Sequence, residues 1–216
     1  EVAERVAVRE GAVEYDVDVR AGQKTGLFLD QRENHAAAAG YARGRLLDAF
    51  SYHGGFALAL AATCSSVEAL DVSADAVATI QANAVKNRLP HVVAREANAF
   101  DELRRLEKTG ARYDTVVLDP PAFAKNKASV DKALTGYKDI NLRALRLLEP
   151  GGTLVTCSCS HHVDEAMFAE VVHAAAADAG SLVSVVEQRT QGRDHPVLLG
   201  VAETKYLKCL ILRKLA

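Results

Sequence analysis

The spacing of hydrophobic residues changes period along the chain, and each change marks an element. Near the start, "RVAVRE" (5–10) and "VEYDVDVR" (13–20) alternate apolar and polar positions on either side of Gly11, the pattern of a β-hairpin. After "AGQKTGLFLDQREN" an Ala-rich stretch predicts a helix from about Asn34 to Arg43. From there apolar runs and helical periods alternate. "RLLDAF", "SVEALDV", "HVVAREA", "YDTVVLD" and "TLVTCSC" read as buried strands. Between them, "GGFALALAATC", "SADAVATIQANAVKNRL", "FDELRRLEKTG" and residues 129–148 read as helices, and "DEAMFAEVVHAAAADAG" follows the fifth strand as another. Ser73 is a natural N-cap, Gly110 a C-cap signal, and "EPGG" stops the long helix. "LVSVVEQRT" and "KYLKCLILRK" are two last strands with no helix between them, which predicts an antiparallel hairpin at the sheet edge.

Strand–helix alternation of this kind implies right-handed βαβ units and a parallel sheet covered on both faces. Five parallel strands and a closing hairpin give an α/β, Rossmann-like, seven-stranded sheet of the class I methyltransferase kind, preceded by the small N-terminal hairpin. The chain is read as residues 1–30, the hairpin segment with a covering loop, and residues 31–216, the main domain. The 216 residues, 49% hydrophobic and 25% charged, suit one α/β domain. No run approaches the ~20 apolar residues of a membrane span, and "EVAERVAVRE" is not a signal peptide. Four scattered cysteines favour a reducing, cytoplasmic setting over a disulfide framework. The net charge of −2 counts mildly against a stand-alone nucleic-acid binder.

In an open α/β sheet ligands sit at the carboxyl ends of the strands, so the residues just after each strand carry the chemistry. The first strand exits into "DAFSYHGGFA", where Gly54 and Gly55 leave backbone open to a ligand, but GxGxxG is absent. The second ends in Asp71, a ribose-binding position, and the third exits at Asn98, Ala99 and Phe100, an edge suited to adenine. Together these point to S-adenosylmethionine rather than a nicotinamide dinucleotide. The fourth strand ends at Asp119, stiffened by Pro120 and Pro121, and the fifth at "TCSCSHH". A thiolate there, from Cys157 or Cys159, is suited to add to C6 of a pyrimidine and make C5 nucleophilic, with Asp119 on the cytosine edge. The set C-x-C-x-H-H is too cramped for tetrahedral zinc, so no metal is expected.

Taken together, "GQKTGLFLDQREN", "FSYHGGF", "DVSADAV", "DPPAFAKNK", "GYKDIN", "SCSHH" and "DHPVLLG" ahead of "YLK" resemble the bacterial 23S rRNA cytosine-5 methyltransferases of the large-subunit type, within the class I S-adenosylmethionine-dependent RNA methyltransferases. The resemblance implies that Phe28, Asp30, Gln31 and Arg32 close over the cofactor and that Phe50, Ser51, Tyr52, Gly54, Gly55 and Phe56 surround its methionine part. It implies Asp71 at the ribose, with Val72 and Ser73 beside the adenine and Asn98 and Ala99 at its edge. Asp119 and Pro120 would stand at the methyl-transfer point, and Cys159 rather than Cys157 would be the nucleophile. Pro121, Phe123, Tyr137, Lys138, Asn141, Arg193 and His195 would touch base or phosphate. S-adenosylhomocysteine would be the product, ribosomal RNA the partner, and a homodimer a compatible assembly. Family members usually begin with an RNA-binding module of the PUA type, and this chain starts about where that module would end.

Two other readings compete. An RNA N-methyltransferase would orient a ring or exocyclic nitrogen on Asp119 and stack the base on Phe123, with no thiol. A methyltransferase-like scaffold would bind S-adenosylmethionine or RNA without chemistry, and would have no use for Asp119 and Cys159 together.

Overall fold

The computed structural model describes residues 5–19, 26–124 and 126–216. The "GQKT" part of the first motif and Lys125 of "DPPAFAKNK" lie outside these described residues. The hairpin is β1 (Arg5–Glu10) and β2 (Val13–Asp18), turning at Gly11 with φ 58°, and it forms a two-stranded sheet of its own. Then come α1 (Arg32–Ala39), β3 (Gly44–Ala49), α2 (Gly55–Leu60), β4 (Cys64–Asp71), α3 (Ala74–Lys86), β5 (Val92–Glu96), α4 (Ala99–Lys108) and β6 (Tyr113–Leu118). The chain continues through α5 (Val130–Leu147), β7 (Leu148–Ser158), α6 (Glu165–Asp178), β8 (Val183–Arg189) and β9 (Lys208–Lys214).

The helix starts are set by side chains the sequence advertises. Ser73 accepts from the Ala76 amide, Asn98 from Phe100 and Asp101, and Asp164 from Met167. Two helices differ from expectation. α1 begins at Arg32 and stops at Gly40, and α2 ends at Leu60, so that Cys64 opens β4 rather than closing the helix.

The main sheet has seven strands in the order β5-β4-β3-β6-β7-β9-β8. β5 to β7 are mutually parallel where they pair, and β9 runs antiparallel to both β7 and β8. The closing pair is a hairpin, as the pattern predicts, but its second strand inserts between β7 and β8. β9 is buried from Lys208 to Leu212 around the apolar run 209–212, so it takes the interior lane, and the half-exposed β8 takes the edge. The order reverses between β3 and β6, so the switch point lies where β3, β4, β6 and β7 end.

One core cluster lies under α1, α2 and α3 and includes Val13, Tyr15 and Val17 of the hairpin; the other lies under α4, α5 and α6. Asn83 of α3 and Asn87, which caps its C-terminus, bind the β2 backbone at Asp16 and Glu14, which docks the hairpin on the helix. Among the described residues no helix is long and apolar enough to cross a membrane.

Candidate active site

Asp48, at the end of β3, organises the loop that follows. It is buried, and its Oδ2 accepts from the Ser51 hydroxyl at 2.7 Å and the Ala57 amide at 3.0 Å. Burial lifts its carboxyl to about 6, against the pull of those two bonds. Above it, Phe50 (φ 79°) and Tyr52 (φ 50°) take left-handed backbone, uncommon for aromatic residues and a mark of functional loops. The Phe50 and Ser51 amides both donate to the Leu70 carbonyl, which locks the loop onto β4. Gly54 has φ 87°, a conformation that suits glycine. At Gly55 a Cβ would come within 2.6 Å of His35 Cε1, so the room this glycine leaves is taken by a side chain of α1.

At the next strand end, Asp71 accepts from the Tyr52 amide and the Ser73 amide, each at 2.9 Å. The carboxylate is half-buried and each oxygen keeps a lone pair, enough for two vicinal hydroxyls. Val72 beside it is 66% exposed, a flat apolar surface next to the acid. Asn98 is exposed, caps α4 with its oxygen and keeps its amide nitrogen, while Ala99 is buried against the core. Phe28 meets Tyr52 edge-on at 5.1 Å between ring centres. An acid with spare acceptors, an exposed valine and a polar edge in a row fit an adenosine group.

Asp119 follows β6, held by Gln31, whose Nε2 donates to Oδ1 at 2.9 Å; Gln31 in turn accepts from Asn34. Burial raises the Asp119 carboxyl to about 7, with nearby His35 opposing and Asp48 adding to the rise. Cys159 lies just beyond β7, half-buried, its Sγ 3.8 Å from the Pro120 carbonyl oxygen. Cys157 is inside the strand, opposite Cys209, fully buried, and burial together with Cys209 drives its thiol well above the ordinary range. Cys157 also lies close to Asp119 and Gln31, but it is sealed inside the sheet, whereas Cys159 meets the Pro120 carbonyl with its thiol half-exposed.

Beneath Cys159, the Tyr137 hydroxyl bridges Ser158 and Ser160, each at 2.9 Å, and Ser160 also accepts from the Ala124 amide. From β9 and the residues before it, Lys208 Nζ donates to the carbonyls of Ser160 and Tyr206, and the Tyr206 hydroxyl donates to Asp30 at 2.7 Å.

Several expected contacts are elsewhere. Tyr137 and Asn141 are fully buried on the inner face of α5, one turn apart, so they support the site from below rather than meet substrate. Lys138 turns outward and pairs with Asp178 at the far end of α6. Phe56 packs edge-on against His35 in the core, and the Ser51 hydroxyl points inward to Asp48, so neither side chain faces a cofactor. Phe123 is tilted over Tyr137 at 4.6 Å and Phe100 at 5.6 Å, and Pro121 is exposed. Arg32, Arg193 and His195 lie on one charged rim. Arg32 pairs with Asp194 at 3.4 Å, as does His195 at 3.3 Å, and Arg193 pairs with Glu33 at 2.9 Å. Asp48, His35, Tyr206 and Lys208 are residues the sequence reading gave no role. For Asp48 the signal was there, an acid closing the first strand; "YLK" marked the other pair without saying why. Among the described residues no group of three or more His, Cys, Asp or Glu is placed to hold a metal.

The chain is 43% identical to ribosomal RNA large subunit methyltransferase I of Shewanella frigidimarina over 212 residues, 96% of this chain and 53% of that one. It thus spans about half the length of the curated relatives it matches. Among solved structures, a SAM-dependent methyltransferase assignment from Streptococcus mutans shares the fold with TM-score 0.86 at 20% identity, over 99% of this chain and 56% of that one. A methyltransferase assignment solved with SAH gives TM-score 0.85 at 22% identity, over 99% and 57%. The model of the S-adenosylmethionine-dependent methyltransferase family matches residues 1–213, nearly the whole length, and the chain belongs to that family.

Proposed function

We propose that the protein transfers methyl from S-adenosylmethionine to C5 of a cytosine in large-subunit (23S) ribosomal RNA, through a thiolate adduct of Cys159, in the cytoplasm. The observation that carries this reading is the placement of the half-buried Cys159 thiol against the Asp119-Pro120 turn, 3.8 Å from the Pro120 carbonyl. The likeness to relatives named for ribosomal RNA methylation supports the substrate.

Asp71, Val72, Asn98 and the Phe28–Tyr52 pair would hold the cofactor's adenosine. When bound, the cofactor supplies a sulfonium methyl that C5 takes up, leaving S-adenosylhomocysteine. The chain's own residues do the rest. The Cys159 thiolate forms a bond to C6, and the C5=C6 electron pair moves to C5. Asp119, raised to about 7, carries a proton in about half the molecules at neutral pH and shares it with N3 of the ring, which draws charge away from C6. After transfer a base takes the C5 proton, the double bond re-forms, and the thiolate leaves.

The N-methyl reading asks Phe123 to stack on the base, yet that ring already lies on Tyr137 and Phe100, and it leaves Cys159 without a task. The test is to incubate the protein and Cys159→Ala with radiolabelled S-adenosylmethionine and 23S rRNA, then identify the labelled nucleoside. Label in 5-methylcytidine that falls at least ~10³-fold with Cys159→Ala is expected. Label in a methylated guanosine or adenosine, or a fully active variant, would overturn the reading.

A further inference from the structure

We propose that Lys208 is a positioning residue that holds Cys159 as its thiolate; this deepens the reading of Cys159 as nucleophile and rests on it. The geometry comes from the inserted strand. In the β7–β9 ladder Lys208 lies opposite Ser158, the residue before Cys159. Its Nζ reaches past that pair to the Ser160 carbonyl at 2.7 Å and folds back to the Tyr206 carbonyl at 2.8 Å. The ammonium therefore sits under the Ser158–Ser160 segment, on the backbone that carries the thiol.

Lys208 is 5% exposed, and among the described residues it forms no ion pair. Among the described residues the ammonium donates to two neutral carbonyls, a costly setting for a buried charge unless an anion forms nearby. The acids that face it are spoken for. Glu165 pairs with Lys205 at 2.9 Å, and Asp164 caps α6 at the Met167 amide. Asp30 accepts from the Tyr206 hydroxyl. On the β7 side, Cys157 is sealed against Cys209, and the Tyr137 phenol is engaged by both serines. Cys159, one residue before the carbonyl that the ammonium grips, is the group that gains function from becoming an anion.

The electrostatics run the same way. Burial pulls the Lys208 ammonium down to about 8, and Cys159, ahead of Asp164 and Glu165, acts against that pull. Charge coupling is mutual, so whatever the thiolate does to keep the lysine protonated, the lysine does to keep the thiol ionised.

The test is the pH profile of iodoacetamide alkylation at Cys159, read by the mass of its proteolytic peptide, in wild type, Lys208→Met and Lys208→Arg. No RNA or cofactor is needed, and the buried Cys64, Cys157 and Cys209 serve as internal references. In wild type the midpoint is expected at least one pH unit below the ordinary thiol value of ~8.5. In Lys208→Met it should return to that value or above, slowing alkylation at pH 7 roughly tenfold or more. Lys208→Arg should keep the wild-type midpoint, which a merely space-filling lysine would not require. An ordinary midpoint in wild type overturns the proposal even if Lys208→Met fails to fold, and so does an unmoved midpoint in a folded Lys208→Met. A depressed, lysine-dependent midpoint together with no 5-methylcytidine in the nucleoside assay would instead count against the proposed reaction and leave this pairing standing.

Discussion

Asp48 and Asp119 close neighbouring strands, and burial raises both, to about 6 and about 7. A carboxyl raised in the folded state binds its proton more tightly there than in the unfolded chain, so it lowers stability as pH climbs from the unfolded value near 4 through the folded one. Asp48→Asn keeps an oxygen for Ser51 and Ala57 and removes the charge. Between pH 4 and pH 8 its unfolding free energy should therefore shift in its favour by about 1–3 kcal/mol relative to wild type, measured by urea titration at each pH. A pH-independent difference would mean the carboxyl is not raised. At this scale the sequence reading found what lies next to a recognisable break: Asp119 before two prolines, Cys159 after a strand, Asp71 before a helix cap. It gave no role to Lys208 and Tyr206, because nothing local reveals a side chain whose partners are some fifty or more residues away.

α5 shows what periodicity conveys and what it hides. Its extent was legible almost to the residue, since Val130–Leu147 is a long amphipathic run closed by "EPGG". Its polar residues misled, because Tyr137 and Asn141 look like surface groups until the helix is docked and they fall on the covered stripe. Tyr137 binds both serines flanking Cys159, which makes the helix a scaffold for the thiol. Tyr137→Phe would leave Ser158 without its hydroxyl partner and weaken the hold on Ser160, at a cost of about 1–3 kcal/mol by chemical denaturation. Methyl transfer should fall along with it, whereas an unchanged rate would separate α5 from the site. The β8–β9 pair was legible as a hairpin but not in its placement, since hydrogen-bonding to β7 and edge exposure are properties of the assembled sheet.

For the molecule as a whole, alternation along the chain was enough to give the layered, mostly parallel sheet, while the strand order and the division of the core into two clusters on its two faces were not legible. The docking of the N-terminal hairpin was not legible, because its alternating pattern says only that one face is covered. That face turns out to be part of the core beneath α1 to α3, with Tyr15 fully buried at its centre. Tyr15→Ala should destabilise the whole molecule by about 3–5 kcal/mol in a single cooperative transition. A separate early transition would show the hairpin unfolding alone. The position of β9 carries a consequence for biosynthesis. A ribosome makes β7 and β8 before β9, yet β9 fills the lane between them. Until residues 208–214 have emerged, β7 presents an open edge of Thr153 to Ser158 with no strand beside it. The growing chain thus carries a sticky, half-finished sheet until residues 208–214 are made, and the thiol at the end of that edge acquires its lysine only when the strand slots in.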